Sequence, residues 1–389
     1  MSAPRSIVLV GGGLAAAACC ETLRDSGYDG RLVLLGAEPH LPYERPPLSK
    51  GYLLGTQDLD KAFVHDDAWY ADHDVEMSLG TPVRDLDLAR GVVGGELPFD
   101  RLLLATGAAP RRLRAADESG APVHYLRTVE DSRRLRDVLV PGARIAVLGA
   151  GWIGLEVAAA ARERGCEVVV VEPADQPLLR VLGPELGAVF ADLHREHGVD
   201  LRTGVGAVGV SGGDGRATVE LSDGSSVTAD ALLVAIGASP RVELAEGAGL
   251  QVDNGVVVDE HLRASHPGVY AAGDVANAFH PVLGRHLRVE HWDNAIHQGR
   301  TAAVNMLGGV EEPYARQPYF FSDQYDLGME YVGGTPYGYD ELVVRGDLAA
   351  RVFTAFWLKD GRVLAGMHAN DWDAGDDLRR AVETGRLAG

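Results

Sequence analysis

Cysteine and lysine are what this 389-residue sequence nearly lacks, with three of each: Cys19, Cys20 and Cys166, and Lys50, Lys61 and Lys359. Three cysteines, two of them adjacent, cannot build a disulfide framework, and a reducing, cytoplasmic setting fits them best. Positive charge is scarce as well, since 36 Lys+Arg against 56 Asp+Glu leave a net charge of −20. That is the reverse of a polyanion-binding footprint and argues against nucleic acid as a partner. No apolar run approaches the ~18 residues a membrane span needs, so no membrane role is expected. Only the N-terminus imitates a targeting segment, with Arg5 ahead of an apolar stretch from Ile7 to Cys20. Gly11, Gly12 and Gly13 break that stretch after four strand-like residues, which marks it as part of the fold instead. Glycine is what abounds: there are 49, where the usual ~7% would give about 27. Tight turns or close backbone approaches are therefore needed in many places.

At roughly 100–200 residues per domain, the length argues for two or three domains. Short β-branched runs alternate with Ala-rich helical stretches, the pattern of parallel sheets with crossover helices. The opening unit reads as strand Ile7 to Val10, glycine turn, helix Leu14 to Arg24 and strand Leu32 to Leu35. A second unit repeats it, with strand Ile145 to Leu148, glycine turn, helix Ile153 to Glu163 and strand Val168 to Val171. This duplication of one supersecondary unit predicts two nucleotide sites. Val75 to Phe99, with Gly94-Gly95, and Arg202 to Val227, with Gly212-Gly213 and Asp223-Gly224, read as antiparallel meanders. From about Tyr314 the character changes. Strand-like pieces at Glu341 to Arg345, Arg351 to Leu358 and Val363 to Ala369 follow one another, the last two joined by a hairpin signal at Lys359-Asp360-Gly361-Arg362. With a short helix near Asp376 to Val382, they form a separate α+β module.

Gly11, Gly13 and Ala16 match G-x-G-x-x-G/A between a strand and a helix. The first glycine makes the turn, the second lets the backbone reach a pyrophosphate, and the third small residue lets helix and strand pack closely. Glu38 follows Gly13 by 25 residues, just past the second strand, where a carboxylate can accept ribose hydroxyls. In the second unit Gly149, Gly151 and Gly154 repeat the motif, and Glu172 lies 21 residues after Gly151. Glu172 would accept a ribose 2′-OH and repel a 2′-phosphate, which predicts NADH over NADPH.

Leu104-Ala105-Thr106-Gly107, Val234-Ala235-Ile236-Gly237 and Gly268-Val269-Tyr270-Ala271-Ala272-Gly273-Asp274 resemble strand-end signatures of the flavoprotein superfamily with two dinucleotide-binding domains. Within it, Pro42 to Lys50 (PYERPPLSK) and Arg288 to Ala295 (RVEHWDNA), continuing to Gln298-Gly299, resemble the ferredoxin reductases that serve bacterial oxygenases. The resemblance covers essentially the whole chain. It implies an α/β fold: two Rossmann-like domains with parallel sheets and β-meanders, and a C-terminal α+β domain. The FAD-binding domain would take residues 1–110 and 240–314, the NAD-binding domain 111–239, and the C-terminal interface domain 315–389.

The same resemblance places Asp274 at the flavin ribityl chain, Arg45 at the ribose and pyrophosphate, and Pro46 at the isoalloxazine. Thr106, Gly107, Gly273 and Glu290 join the FAD site, and Gly237 joins the NAD site. Trp292 either packs near the flavin or is a plain core aromatic. Lys50 stands out among so many arginines, and the family pairs it with a carboxylate at the position of Glu156 beside flavin N5. These two are the expected catalytic pair. A compact ammonium there stabilises negative charge on reduced flavin.

No cysteine falls between Pro42 and Leu54, where dithiol-using relatives carry theirs, so electrons must leave directly from the flavin. The three cysteines read as buried fillers, and His194 and His197 as surface histidines with no metal site. Phe321 stands where oxygenase-type reductases commonly have a tryptophan. The implied activity is electron transfer from NADH through FAD to a [2Fe-2S] ferredoxin, and from there to a cytochrome P450 or Rieske dioxygenase. Monodehydroascorbate or quinone reductases, and redox-gated binding proteins like apoptosis-inducing factor, share the motifs and stay open as alternatives. An acidic ferredoxin would need a local basic patch on so acidic a protein, and Arg285, His286, Arg288 and Arg300 are the candidates.

Overall fold

The computed structural model describes residues 4–309, 311–335 and 338–387. The chain divides into two compact units: Met1–Glu44, Leu59–Ala109 and Ser239–Arg316 form the first, and Arg45–Asp58, Pro110–Ala238 and Gln317–Gly389 the second.

In the first unit a five-stranded parallel sheet runs, edge to edge, Val269–Ala271, Arg101–Leu104, Ser6–Val10, Arg31–Leu35 and Val75–Ser78. Its central strand is fully buried at Ile7, Val8 and Leu9, which is why the sequence there is continuously apolar instead of alternating. Val75–Ser78 is thus a parallel edge strand, not the start of a meander. The meander itself is reduced to three two-residue strands, Leu86–Asp87, Val92–Val93 and Leu97–Pro98.

The second unit repeats the parallel sheet in the order Asp200–Thr203, Glu167–Glu172, Arg144–Leu148, Ala231–Val234 and Val123–His124. Here too the expected meander loses its first strand to the parallel edge, and it runs Ala207–Gly213, Arg216–Leu221 and Ser226–Ala229. Its first turn is Asp214-Gly215, with φ of 52° and 74°. Gly212 and Gly213 instead pair with Ala217 and Arg216. Two successive positive φ angles suit a tight hairpin, and Asp-Gly adopts them more easily than the preceding residues.

The C-terminal residues of this unit form a five-stranded antiparallel sheet in the order Tyr319–Gln324, Leu327–Gly333, Arg362–Ala369, Val352–Lys359 and Glu341–Asp347. The sequence had indicated only the last three of these in chain order. The helix Gly375–Thr384 lays Leu378, Ala381 and Val382 on one face, against Val332, Phe356 and Val363. The other face, through Met329, Tyr331, Trp357 and Met367, shares a core with Leu182, Leu186 and Phe190 of the long helix Leu179–Glu196. The segment Arg45–Asp58 also belongs here: Leu53 enters the same core, and Ser132 Oγ donates to the Leu48 carbonyl at 2.8 Å. Among the described residues no helix is long and apolar enough to cross a membrane.

Candidate functional site

Each parallel sheet ends in a glycine turn that feeds a 12-residue helix, Leu14–Asp25 or Trp152–Glu163. Gly11 and Gly149 sit at φ +123° and +101°, and a Cβ at either would lie 2.1 or 2.4 Å from the carbonyl oxygen of Ala105 or Ala235. No other residue fits there. Gly13 and Gly151 are the helix N-caps; their backbone is extended and no side chain caps either helix. A Cβ on Gly13 or Gly151 would meet nothing within 4 Å. Two helix N-termini therefore present uncapped amides towards open space, the arrangement that accepts a pyrophosphate. Ala16 is fully buried, and a Cβ on Gly154 would stand 2.1 Å from the Gly149 carbonyl oxygen, so both third positions serve close packing. On this geometry the residues present fit two dinucleotides.

The acidic residue at or just past the end of each second strand is held in place. Glu38 accepts from the Tyr43 hydroxyl at 2.5 Å. Glu172 accepts from the amides of Ala150 (2.8 Å) and Ala174 (2.9 Å), which ties it to the second glycine turn. A carboxylate offers about four acceptor sites, so two remain for a diol.

At the strand ends of the first unit, Gly107 has φ +70°, and Thr106 Oγ1 donates to the Arg241 carbonyl at 2.7 Å. The amide of Gly273 donates to Gln298 Oε1 at 2.9 Å. Arg288 links two expected site residues, since its guanidinium pairs with the Glu290 carboxylate and donates to the Asp274 carbonyl at 3.1 Å. Its side chain is only 9% exposed, so Arg288 is not part of a docking patch. Arg285, His286 and Arg300 keep surface positions, Arg300 with Glu21 at 3.6 Å. Trp292 is half-buried at the start of the helix Trp292–Leu307.

In the second unit Arg45 donates to the Arg127 carbonyl at 2.5 Å, Pro46 opens the short 3-10 turn Pro46–Ser49, and Gly237 has φ +107°. The turn delivers Lys50 to Glu156, with Nζ 2.7 Å from Oε1. Their side chains are 20% and 6% exposed. Two residues that sequence reasoning missed complete the carboxylate's shell: Ser49 Oγ donates to Oε2 at 2.5 Å and Ser322 Oγ to Oε1 at 2.8 Å. The Phe321 ring lies beneath the Lys50 ammonium at 5.6 Å, so the aromatic at this position contacts the pair.

His194 is not a surface histidine. It is fully buried, its Nε2 lies 2.9 Å from Gln324 Oε1, and burial pulls its pKa down to about 4. Leu186, Phe190 and His194 recur at intervals of four on one helix face, a period that would have revealed its burial. The three cysteines are fully buried, and burial raises each thiol, Cys20 to about 12.

Residues 5–299 match the family described as pyridine nucleotide-disulphide oxidoreductase, and residues 319–387 match the Reductase C-terminal family. The chain is 42% identical to the ferredoxin--NAD(+) reductase component of the anthranilate 1,2-dioxygenase system of Burkholderia cepacia, over 98% of this chain and 94% of that protein. It is 39% identical to putidaredoxin reductase of Pseudomonas putida, over 94% and 88%. Among solved structures, the covalent putidaredoxin reductase–putidaredoxin complex aligns with a TM-score of 0.92 at 37% identity, covering 98% of this chain and 93% of that one.

Proposed function

The chain belongs to the pyridine nucleotide-disulphide oxidoreductase family, and on that premise we propose that it is an FAD-dependent ferredoxin--NAD(+) reductase. It takes electrons from NADH and passes them to a [2Fe-2S] ferredoxin that serves a cytochrome P450 or a Rieske dioxygenase. The observation that carries this reading is the full-length likeness to ferredoxin reductase components in a chain whose only three thiols are buried. The family name implies a disulphide, yet burial holds these thiols protonated and unreactive, and none lies on the segment that carries Lys50. The same unpaired cysteines support a reducing cytoplasm as its place of work.

FAD, when bound, supplies the conversion between two-electron uptake from NADH and one-electron delivery to an iron–sulfur centre. For its binding we assign Gly11, Gly13, Ala16 and Glu38 to the adenosine and pyrophosphate, and Thr106, Gly107, Gly273, Asp274, Glu290 and Trp292 to the rest, with Arg45 and Pro46. Gly149, Gly151, Gly154, Glu172 and Gly237 are assigned to NADH. The uncapped amides of each helix carry partial positive charge to the pyrophosphates. Glu172, anchored by two amides, accepts the ribose hydroxyls and repels a 2′-phosphate. Lys50, held by Glu156, would supply a compact positive charge to stabilise the negative charge of a reduced flavin. The domain assignment we propose is residues 1–110 with 240–314 for FAD, 111–239 for NADH, and 315–389 as the interface module, with the segment Arg45–Asp58 packed in the second unit.

Reduction of cytochrome c by NADH, measured with and without a panel of [2Fe-2S] ferredoxins, tests this reading. A large rate gain only when a ferredoxin is present supports it. Equal rates with every ferredoxin and without one would overturn it in favour of a small-molecule reductase or a redox-gated binding protein.

A further inference from the structure

A line of buried polar side chains leads away from the Lys50–Glu156 pair, all within the second unit. Ser322, Gln324 and His194 are each at most 1% exposed. Ser322 Oγ lies 2.8 Å from Glu156 Oε1, Gln324 Nε2 lies 3.1 Å from Ser322 Oγ, and His194 Nε2 lies 2.9 Å from Gln324 Oε1. The line ends there: His194 Nδ1 has no hydrogen-bond partner among the described residues.

The direction of every bond in this line follows from its charged end. An ionised carboxylate can only accept, so the single hydroxyl proton of Ser322 must point at Glu156. Ser322 Oγ is then an acceptor towards Gln324, which must offer its NH2 group and so turns its carbonyl oxygen to His194. His194 must therefore carry its proton on Nε2. The charge at one end of the line thus fixes the Gln324 amide orientation and the protonation of His194 Nε2. An imidazolium would also donate from Nε2, so the line fixes only that nitrogen's proton; burial, which lowers the pKa to about 4, is what keeps the ring neutral.

We infer that Ser49, Ser322, Gln324 and His194 are positioning residues for the reductase reaction: they form a one-way set of donors that holds both oxygens of Glu156 and keeps its Oε1 fixed on Lys50. A buried carboxylate whose oxygens lack donors carries an uncompensated desolvation cost and is free to turn away from its cation, which would release Lys50 from its place. Two hydroxyl donors, one of them polarised by an amide and an imidazole behind it, oppose that movement. Another charged group near Glu156 is Asp323, on the same strand as Ser322, whose carboxyl is raised by desolvation and by Glu156 and lowered by Lys50. Around His194 the titratable neighbours are His197, whose charge disfavours protonation of His194, and Tyr325, whose ring meets it edge-on at 5.3 Å.

The inference rests on the reading of Lys50–Glu156 as the pair at the hydride site, but its first test does not. In FAD-loaded protein labelled with 15N-histidine, the His194 resonances, identified by their loss in His194→Gln, should show the neutral Nε2–H tautomer from pH 8 down to 5.5. An Nδ1–H tautomer would overturn the directional line whatever the protein reduces. The second test reads the pair itself. Ser322→Ala should lower the rate of reduction by NADH about tenfold with the KM for NADH unchanged, the effect of losing one hydrogen bond to a charge. Ser322→Thr, which keeps the hydroxyl, should restore the rate. An unchanged rate in folded, FAD-loaded Ser322→Ala would make these side chains merely structural. Gln324→Met, which keeps volume and removes both polar groups, should lower the rate in the same way, and it serves if Ser322→Ala folds poorly.

Discussion

The glycine turn of the second unit allows binding and folding to be separated by two substitutions three residues apart. Gly151 is the N-cap of Trp152–Glu163 at φ −81° and ψ −177°, an extended conformation that any residue adopts, and a Cβ there meets nothing within 4 Å. Alanine is a poorer N-cap than glycine, by up to about 1 kcal/mol, but it also restricts the unfolded chain by about 0.4–1 kcal/mol. The two nearly cancel, so Gly151→Ala should leave the Tm within about 2 °C. Its methyl group nevertheless occupies the space in front of the helix amides. Loss of one charge-assisted hydrogen bond there, worth about 1.5–3 kcal/mol, corresponds to a rise of ~10- to 100-fold in the Kd for NAD+. Gly154→Ala should do the opposite. Its Cβ would lie 2.1 Å from the Gly149 carbonyl oxygen and 3.4 Å from Val147, so the helix must move off the sheet at about 1–3 kcal/mol or more. Calorimetric titration with NAD+ and thermal melts of the FAD-loaded variants measure both quantities. NAD+ affinity kept within twofold in Gly151→Ala, or a melt as early as that of Gly154→Ala, would refute this division of roles.

Glu172→Ser should shift preference from NADH towards NADPH, read as the ratio of kcat/KM values; an unchanged ratio removes Glu172 from the ribose site. Lys50→Ala should slow reduction by NADH in stopped-flow by about tenfold or more, equivalent to ~1.4 kcal/mol of barrier, and an unaffected rate would leave the Glu156 pair without a part in hydride transfer. Arg285→Ala or Arg300→Ala should raise the KM for ferredoxin and flatten its salt dependence while the KM for NADH stays put; a change confined to NADH would relocate the docking patch. His194 also sets a pH dependence of stability. Its folded pKa of about 4 lies below the usual 6.5, so the unfolded chain takes up the proton first as pH falls. The stabilisation is complete above pH 6.5 and declines towards pH 4, by up to about 3 kcal/mol, and His194→Gln should flatten the corresponding fall in Tm between pH 7 and 4.5.

Local patterns were legible in the sequence because their cause is local. The turn at Gly149 is forced by a carbonyl oxygen 2.4 Å from where a Cβ would be, and the hairpin at Asp360-Gly361 by φ angles of 50° and 73°. Partnerships across the chain were not, since Arg288 reads as a free surface cation until packing brings the Asp274 carbonyl and the Glu290 carboxylate to it. The strand Tyr319–Gln324 was missed for a different reason. Its inward positions are Ser322 and Gln324, each 1% exposed, while Phe321 is half-buried and Asp323 exposed. Apolar-in, polar-out alternation is therefore broken where it would have identified the strand. Burying two polar side chains costs free energy that an apolar strand would avoid, so their place calls for a compensating demand. Glu156 supplies it, because a buried carboxylate needs hydroxyl and amide donors, which aliphatic residues cannot provide. The local rule thus fails at the point where the strand meets the proposed site, and sequence patterns break most informatively where a site overrides the packing preference of its own element.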